Sequence, residues 1–277
     1  MSIGVTGASG LLGRRVAARL LDAVDPAEVV LTSRSVDSLS EFAARGARIR
    51  RIDFTEPATL ADAFADVDRL LLVSTDSVGD RVAGHLAAIA AAAAAGVELV
   101  VYTSVPEPVD VNPALVVPDH RATEDALRAS GMKWISLRNN LYADIQLPTI
   151  EHAAASGKFV TNVGDGRAAY VTRDDCAAAA VGALTGLAAD DTAYDVTGPE
   201  ALSAHDLARL AGPAVEVVDV DDTTYESGLV TAGLPRGVAQ LLTSFGASIR
   251  EGYLSAVTPA VEHLTGAKPA PLSSLLP

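Results

Sequence analysis

The sequence predicts an α/β fold in which helices cover both faces of a doubly wound parallel sheet, followed by a smaller C-terminal lobe. Short apolar runs alternate with helical segments from residue 3 to residue 142, which is typical of consecutive strand–helix–strand units. The run Leu70–Val73 is continuously apolar, as expected of a central strand that is covered on both faces. With 277 residues, the chain is long enough for one large domain and an appended lobe.

A glycine-rich turn follows the first strand. The strand Ile3–Thr6 leads into this turn and then into a helix at Arg14–Leu21. The turn consists of Gly7, Ala8, Ser9, Gly10, Leu11, Leu12 and Gly13. Its first glycine permits a tight turn, its second lets backbone N–H groups approach a phosphate, and its third lets the helix pack closely on the sheet. Because a helix N-terminus also attracts anions, the turn predicts a Rossmann-type unit that binds the pyrophosphate of a dinucleotide.

The second strand, Glu28–Ser33, ends at Arg34. Sites that are specific for NAD usually place an acidic residue there, which binds the ribose 2′-hydroxyl. A guanidinium group instead suits a 2′-phosphate, by its charge and by its paired donors. The sequence therefore predicts NADP(H) as the cofactor, with NAD(H) as an alternative. The alternative role of Arg34 is that of an ordinary surface arginine.

Three later strands place further side chains at their carboxyl ends, where ligands bind in open α/β sheets. These strands are Arg48–Ile52, Asp68–Ser74 and Glu98–Ser104. The residues expected beside the cofactor are Asp53 and Phe54 after the first strand, Ser74, Thr75 and Asp76 at the second, and Thr103 and Ser104 at the third. Asp53 and Phe54 are expected to border the adenine, although Asp53 also suits a turn or a helix cap.

Polar residues follow the sixth strand, Lys133–Leu137. We expect Asn139, Asn140 and Tyr142 to lie in the cleft beside the nicotinamide or the acceptor. Asn139 and Asn140 are candidates for binding the cofactor, and Asn139 and Tyr142 are candidates for a catalytic role. An ordinary polar loop is the alternative.

His120 is the one histidine expected beside this cleft, on the helix Asp119–Ala129. A proline-rich segment, residues 105–118, precedes that helix and is predicted to form a lid over the carboxyl edge of the sheet. His120 is the third catalytic candidate, because its ring could donate a proton in the cleft or form a hydrogen bond with the lid. The alternative is a helix residue that caps a turn or binds water.

The alternation of strands and helices weakens after Tyr142. The elements indicated there are a hairpin or short strands at 157–162 and 165–166, a helix at Cys176–Leu187 and a strand at Tyr194–Gly198. We predict a dinucleotide-binding domain over residues 1–142, to which the pieces 168–198 return, and a smaller substrate-covering lobe over residues 143–277.

The composition opposes several classes of protein. The net charge is −14 and the only lysines are Lys133, Lys158 and Lys268, whereas nucleic-acid binding needs a basic patch. The single cysteine excludes an intrachain disulfide and a cysteine metal cluster, and the histidines show no metal-ligand spacing. No apolar stretch approaches the ~20 residues of a membrane span. Because the first strand starts at Ile3, we expect no signal peptide and a cytoplasmic protein, with a homodimer left open.

Several sequence blocks together resemble the NmrA-like atypical short-chain dehydrogenases/reductases. The blocks are residues 6–13, Tyr102–Ser104, the helix that starts at Asp119, Leu137–Tyr142 and Val171–Arg173. Within that family, the bacterial type 2 NAD(P)H:quinone oxidoreductases and the triphenylmethane reductases are the most similar subgroups. The resemblance covers essentially the whole chain and implies NADP(H) binding and reduction of a small molecule. Leu11 departs from the family pattern, in which glutamine usually stands beside the cofactor.

The catalytic pair of the wider superfamily, Tyr-x-x-x-Lys, is absent. The residues four positions before the three lysines are Ala129, Ala154 and Leu264. In that pair the lysine lowers the pKa of the tyrosine for proton transfer, so its absence excludes a carbonyl reductase or sugar epimerase of the usual type. A quinone needs less help, because hydride addition yields an aromatic hydroquinone anion that water can protonate.

Two functions of different class agree with these residues. The first is an NADPH-dependent oxidoreductase that transfers a hydride to a quinone or a similar flat conjugated acceptor. The second, which resemblance to the NmrA regulators allows, is an NADP(H)-sensing regulatory protein without turnover. A closed apolar pocket favours the enzyme, and a filled pocket favours the sensor. For the enzyme, we expect no single substitution among His120, Asn139, Asn140 and Tyr142 to abolish turnover, because each acts through orientation.

Overall fold

The computed structural model describes residues 1–276; Pro277, the last residue of the predicted lobe, lies outside them. The strands of this part of the chain are numbered in chain order. They are β1 (Ile3–Val5), β2 (Val29–Ser33), β3 (Arg48–Arg51), β4 (Arg69–Leu72), β5 (Leu99–Ser104), β6 (Lys133–Asn139), β7 (Lys158–Thr161), β8 (Arg167–Ala168), β9 (Thr192–Val196), β10 (Leu202–Ser203) and β11 (Glu216–Asp219).

The α-helices within residues 1–276 are numbered in the same way. They are α1 (Leu11–Ala23), α2 (Ser40–Ala44), α3 (Ala58–Phe64), α4 (Arg81–Ala94), α5 (Val117–Ala129), α6 (Leu147–Ser156), α7 (Arg173–Leu184), α8 (Ala204–Ala211), α9 (Asp222–Thr231), α10 (Arg236–Arg250) and α11 (Ala260–Thr265).

The main sheet has seven parallel strands in the order β3-β2-β1-β4-β5-β6-β9. The strand order reverses between β1 and β4, and such a reversal opens a crevice at the carboxyl ends of the strands. This order confirms the predicted Rossmann-type, doubly wound α/β fold. The late strand β9 pairs with β6 and ends the strand order on that side of the sheet.

Apolar side chains alternate between the two faces of this sheet. Val5 and Leu31 point to one face, where they pack with α1 and α7, and Val30 and Leu72 point to the other, where they pack with α3 and α4. All four are fully buried. Both faces of the sheet are therefore covered, which explains the continuous apolar run at β4.

The later part of the chain builds a separate apolar core, which contains Ile150, Phe159, Leu207 and Leu254. Here β7 pairs in parallel with β11, and β8 pairs with β10. The predicted hairpin at residues 157–166 is therefore wrong, and the alternative of short strands is right. The reason is that β7 finds its partner far along the chain rather than across the adjacent turn.

Two boundaries differ from the prediction in ways that shape the site. The helix α5 begins at Val117 rather than Asp119, so the irregular segment that precedes it is 105–116, called the lid loop below. The strand β6 runs to Asn139 rather than Leu137, which places Asn139 at the edge of the sheet. No helix in residues 1–276 combines the length and apolar character that crossing a membrane requires.

Candidate active site

The glycine turn, residues 7–13, leaves the N-terminus of α1 open. Gly7 has a φ of +59°, a left-handed conformation that favours glycine, and its carbonyl accepts from Gly10 N at 2.9 Å. A Cβ at Gly13 would lie 2.8 Å from Ala8 Cα and closer still to the Gly7 carbonyl oxygen. No side chain caps α1 at Gly10, so the N–H groups of its first turn are free to bind an anion.

A pair of serines ties this turn to the end of β2. Ser9 Oγ lies 2.9 Å from Ser33 Oγ, and Ser35 N donates to Ser33 Oγ at 3.2 Å. Arg34 follows directly and is exposed. Within residues 1–276, Arg34 forms no ion pair, so its guanidinium group is available to a ligand phosphate. Leu11, at the start of α1, is 65% exposed and offers no polar group.

We expect Arg34→Ala to weaken NADPH binding by about tenfold to a hundredfold, because a charge-assisted contact to the 2′-phosphate is lost. NADH lacks that phosphate, so its affinity should change little. Titration of both cofactors by calorimetry measures the difference. An equal loss for NADPH and NADH would contradict the assignment of Arg34 to the 2′-phosphate.

The residues expected at the adenine take different roles. Asp53 Oδ1 accepts from Thr55 N at 3.0 Å and from Thr55 Oγ1 at 2.8 Å, and these bonds lower the pKa of Asp53. Asp53 thus forms the turn that was its alternative role, with its side chain still partly exposed. Phe54 packs on α4, edge-on to His85 with ring centroids 6.1 Å apart. A Cβ at Gly84 would lie 2.9 Å from Phe54 Cβ, so glycine is what allows this close approach.

The segment after β4 is held by side chains of neighbouring elements. Ser74 N donates to Thr103 Oγ1 at 2.8 Å, and Thr75 N donates to His85 Nε2 at 3.3 Å. Burial lowers the pKa of His85 to about 4, so the ring is neutral and its Nε2 can accept the Thr75 N–H. Asp76, the next predicted residue, is exposed. Val73, the residue before this segment, lies next to the glycine turn, since a Cβ at Gly7 would be 3.6 Å from Val73 Cβ.

A cavity of about 240 Å³ lies at the carboxyl ends of β5 and β6. The surface of its walls is mostly apolar, although half of the lining residues carry a polar group. They comprise Ser74, Thr103, Ser104, Val105, Pro106, Asn112, Ala114, Val116, Val117, His120, Asn139, Asn140, Leu141, Tyr142, Ile145, Phe245, Ser248 and Leu254. The cavity thus brings together seven of the predicted residues. Those outside it are Arg34, Asp53, Phe54, Thr75, Asp76 and the glycine turn.

The roof of the cavity combines the lid loop with α10. Ser248 Oγ donates to Asn112 Oδ1 at 2.8 Å, and Leu115 N donates to Ser244 Oγ at 3.1 Å. Phe245 packs with Val116 in the same apolar cluster. The segment predicted as a lid is therefore a loop that covers the cavity and is held in place by hydrogen bonds to α10.

The asparagines at the end of β6 differ in what their side chains do. Asn139 is 7% exposed, and its Oδ1 has no hydrogen-bond partner within residues 1–276. Asn140 is already engaged, because its Nδ2 donates to Leu254 O at 2.9 Å and its Oδ1 accepts from Leu141 N at 2.8 Å. The two adjacent asparagines therefore differ: Asn140 fastens the end of β6 to Leu254, whereas Asn139 lines the cavity with a buried oxygen that is unpaired within residues 1–276.

Tyr142 and His120 form the remaining polar wall. Tyr142 is half-buried, with the Arg173 guanidinium 4.7 Å from its ring centroid, and burial raises its pKa. His120 is buried, and its Nδ1 lies 2.8 Å from the hydroxyl of Tyr102 in β5. Burial lowers the pKa of His120 well below its usual value, so the ring is a neutral donor and acceptor.

Comparison with known proteins decides which family this arrangement represents. Residues 7–186, which include the glycine turn and most of the main sheet, match the family described as NAD(P)H-binding. The chain belongs to the NAD(P)H-binding family.

Similar proteins extend this match over the whole chain. Quinone oxidoreductase 2 of Escherichia coli (strain K12) is 32% identical over 256 residues, which cover 91% of this chain and 89% of that protein. The NADPH complex of an NADPH-dependent quinone oxidoreductase from Escherichia coli has a TM-score of 0.93 at 31% identity, covering 99% and 98% of the two chains. Triphenylmethane reductase of Citrobacter sp. with NADP(H) has a TM-score of 0.90 at 28% identity, with 99% and 98% coverage. These similarities confirm the resemblance seen in the sequence blocks.

The residues of this NAD(P)H-binding protein fit its cofactor. The open helix N-terminus suits a pyrophosphate, the free guanidinium of Arg34 suits a 2′-phosphate, and Asn139 is among the residues that line the cavity. No three His, Cys, Asp or Glu side chains in the described residues converge as metal ligands.

Sequence reasoning missed a buried ion pair in this NAD(P)H-binding protein. Arg81 Nε donates to Asp119 Oδ2 at 3.1 Å, and both side chains are less than a tenth exposed. Arg81 also donates to Thr75 O at 2.9 Å and to Val116 O at 3.4 Å. The pair therefore ties the segment after β4 to the lid loop. The sequence shows only a charged residue in the first turn of each of the two helices α4 and α5. Charged residues are common at such positions, so nothing in the sequence indicates that these two form a buried pair.

Tyr102, Phe245 and Ser248 were missed as well. Tyr102 lies within the apolar strand β5, where a tyrosine is expected to be an ordinary core residue. Phe245 and Ser248 lie on α10, far along the chain from the glycine turn and the polar strand ends.

Proposed function

We propose that this NAD(P)H-dependent oxidoreductase uses NADPH to reduce a quinone or a similar flat conjugated acceptor. The observation that carries the proposal is the mostly apolar cavity at the carboxyl ends of β5 and β6, beside the segment after β4. The similarity to quinone oxidoreductase 2 of Escherichia coli supports the same acceptor class. The open volume favours an enzyme over the regulatory alternative, for which a filled pocket was expected.

The cofactor would be held by residues on both sides of the strand reversal. The glycine turn would bind the pyrophosphate, and Arg34 the 2′-phosphate. Ser74 and Thr103, which bond each other and line the cavity, would border the nicotinamide end together with Asn139. Asp53 and Phe54 would remain at the adenine end, and Thr75, Asp76 and Ser104 would border the path between them.

Bound NADPH supplies a hydride from the nicotinamide ring. The chain's own contribution is to orient the acceptor, exclude water and present hydrogen bonds to its oxygen atoms. Phe245 and Leu254 offer apolar faces for a flat ring, while His120, Asn139 and Tyr142 offer polar groups at the edge. No side chain with the pKa of a Tyr-Lys acid is needed, because the hydroquinone anion is protonated by water.

The cavity volume also bears on acceptor size. At about 240 Å³ it is smaller than the ~300–1,000 Å³ typical of sites for drug-sized ligands, and the acceptor would share it with the nicotinamide end of the cofactor. We therefore expect one-ring and two-ring quinones to be reduced more efficiently than three-ring quinones. NADPH oxidation with 1,2-naphthoquinone and 9,10-phenanthrenequinone tests this, since both are ortho-quinones that differ by one ring.

The experiment for the function itself is NADPH oxidation with a panel of quinones, with NADPH binding measured in parallel. Quinone-dependent oxidation is the expected result. A protein that binds NADPH tightly but reduces none of the quinones would contradict the acceptor class. A preference for the three-ring quinone would contradict only the size argument.

A further inference from the structure

A hydrogen-bonded pair lies in the wall of the cavity. Tyr102 is fully buried in β5 and does not itself reach the cavity, whereas the His120 ring forms part of its lining. The Tyr102 hydroxyl and His120 Nδ1 are 2.8 Å apart. On the other side of the ring, His120 Nε2 has no hydrogen-bond partner within residues 1–276 and is not among the buried atoms left unpaired. Nε2 is therefore the ring atom that a ligand in the cavity can meet.

Burial keeps both groups of this pair neutral, because it raises the pKa of Tyr102 and lowers that of His120. Within residues 1–276, His120 Nδ1 is the partner that lies within hydrogen-bond distance of the Tyr102 hydroxyl. If Nδ1 carried the proton of the imidazole, the Tyr102 proton would have no acceptor at that distance, and a buried hydroxyl that donates to nothing is costly.

We propose that Tyr102 is a positioning residue: it fixes His120 in the tautomer that carries its proton on Nε2, and His120 presents this N–H to an oxygen atom of the acceptor. A neutral imidazole has one donor nitrogen and one acceptor nitrogen, so a bond donated to Nδ1 leaves Nε2 as the donor. This inference rests on the proposed quinone reduction, in which an oxygen atom of the acceptor gains negative charge.

The balance of the reaction shows why His120 stabilises charge rather than losing its proton. The quinone gains a hydride, NADPH is oxidised to NADP⁺, and the product is the hydroquinone monoanion. A proton from water completes the hydroquinone. If His120 gave up its proton, the charge would pass to the imidazole or to Tyr102, and burial opposes an anion at both. The N–H at Nε2 instead stabilises the developing oxyanion by hydrogen bonding.

The tautomer can be measured without turnover. In protein labelled with ¹⁵N-histidine, the His120 resonances are assigned by their absence in His120→Phe. We expect Nε2 to be protonated and Nδ1 to be bare in the wild type, with the Nδ1 resonance moving in Tyr102→Phe. A wild type with its proton on Nδ1, or a Tyr102→Phe spectrum identical to it, would overturn the proposal.

Kinetics supply the second readout. Tyr102→Phe should lower kcat for quinone reduction by about twofold to tenfold, as for one neutral hydrogen bond, with NADPH affinity unchanged. The double variant Tyr102→Phe/His120→Phe should be no slower than His120→Phe, because Tyr102 acts through His120. Tyr170→Phe is the matched control, since Tyr170 is also buried but is not among the residues that line the cavity. Additive losses in the double variant would overturn the proposal. A wild type that reduces no quinone would instead contradict the proposed function, and the NMR spectrum would then decide the tautomer by itself.

Discussion

Replacing Asp119 with alanine is expected to lower the free energy of unfolding by about 3–5 kcal/mol, because it leaves a buried guanidinium group without its carboxylate. The side chains of Arg81 and Asp119 are only 4% and 9% exposed. Asp119 Oδ2 also accepts from Gly79 N at 2.8 Å, so the substitution leaves a second donor unpaired. Urea denaturation followed by circular dichroism measures the change.

Two further variants separate a buried charge from a general effect of mutation. Replacing both partners, with Arg81→Met and Asp119→Leu, removes the unpaired charge and should recover part of the lost stability. The recovery is incomplete because the carbonyls of Thr75 and Val116 lose their donor. Asp190→Ala breaks an exposed ion pair and should change stability little. Similar losses for Asp119→Ala and Asp190→Ala would show that burial of the pair has no energetic consequence.

Gly10→Val is expected to weaken NADPH binding by about a hundredfold or more, because more than one charge-assisted hydrogen bond to the phosphates is lost. The backbone at Gly10 has φ −78° and ψ 171°, which valine adopts readily, so the fold should survive. A Cβ there would lie 3.3 Å from the Gly7 carbonyl oxygen, and the branched side chain would fill the space before α1. Calorimetric titration with NADPH measures the loss.

The control for this variant is Gly10→Ala, which adds only the Cβ and should lose less affinity. Circular dichroism and the denaturation midpoint establish that both variants are folded. Gly13 is a poorer test, because a Cβ at that position would meet Ala8 Cα at 2.8 Å and disturb the packing of α1. A folded Gly10→Val protein with unchanged NADPH affinity would show that the glycine turn is not the cofactor site.

Much of the main sheet and the cofactor turn could be predicted because their signals are local. The apolar run at β4, the glycines at 7, 10 and 13, and Arg34 at the end of β2 each act through neighbours a few residues away. The Thr172 cap of α7, whose side chain accepts from Asp175 N, is another contact between residues that are close in the sequence. The exact ends of α5 and β6 differ from the prediction by two residues each. The residues that extend these elements carry no periodic pattern in the sequence and are stabilised by packing against other parts of the chain.

The sequence by itself determined the doubly wound class of fold, NAD(P)H as the cofactor and the absence of a Tyr-Lys pair, because residue type and spacing suffice for these. Only the tertiary structure decided which polar side chains are free. Asn140 is engaged by Leu254, whereas Asn139 keeps an unpaired oxygen, although the two are adjacent and chemically identical. Tyr102 similarly reaches His120 from another element. The physical reason is that hydrogen bonds between distant segments depend on how the chain packs, which local periodicity does not encode.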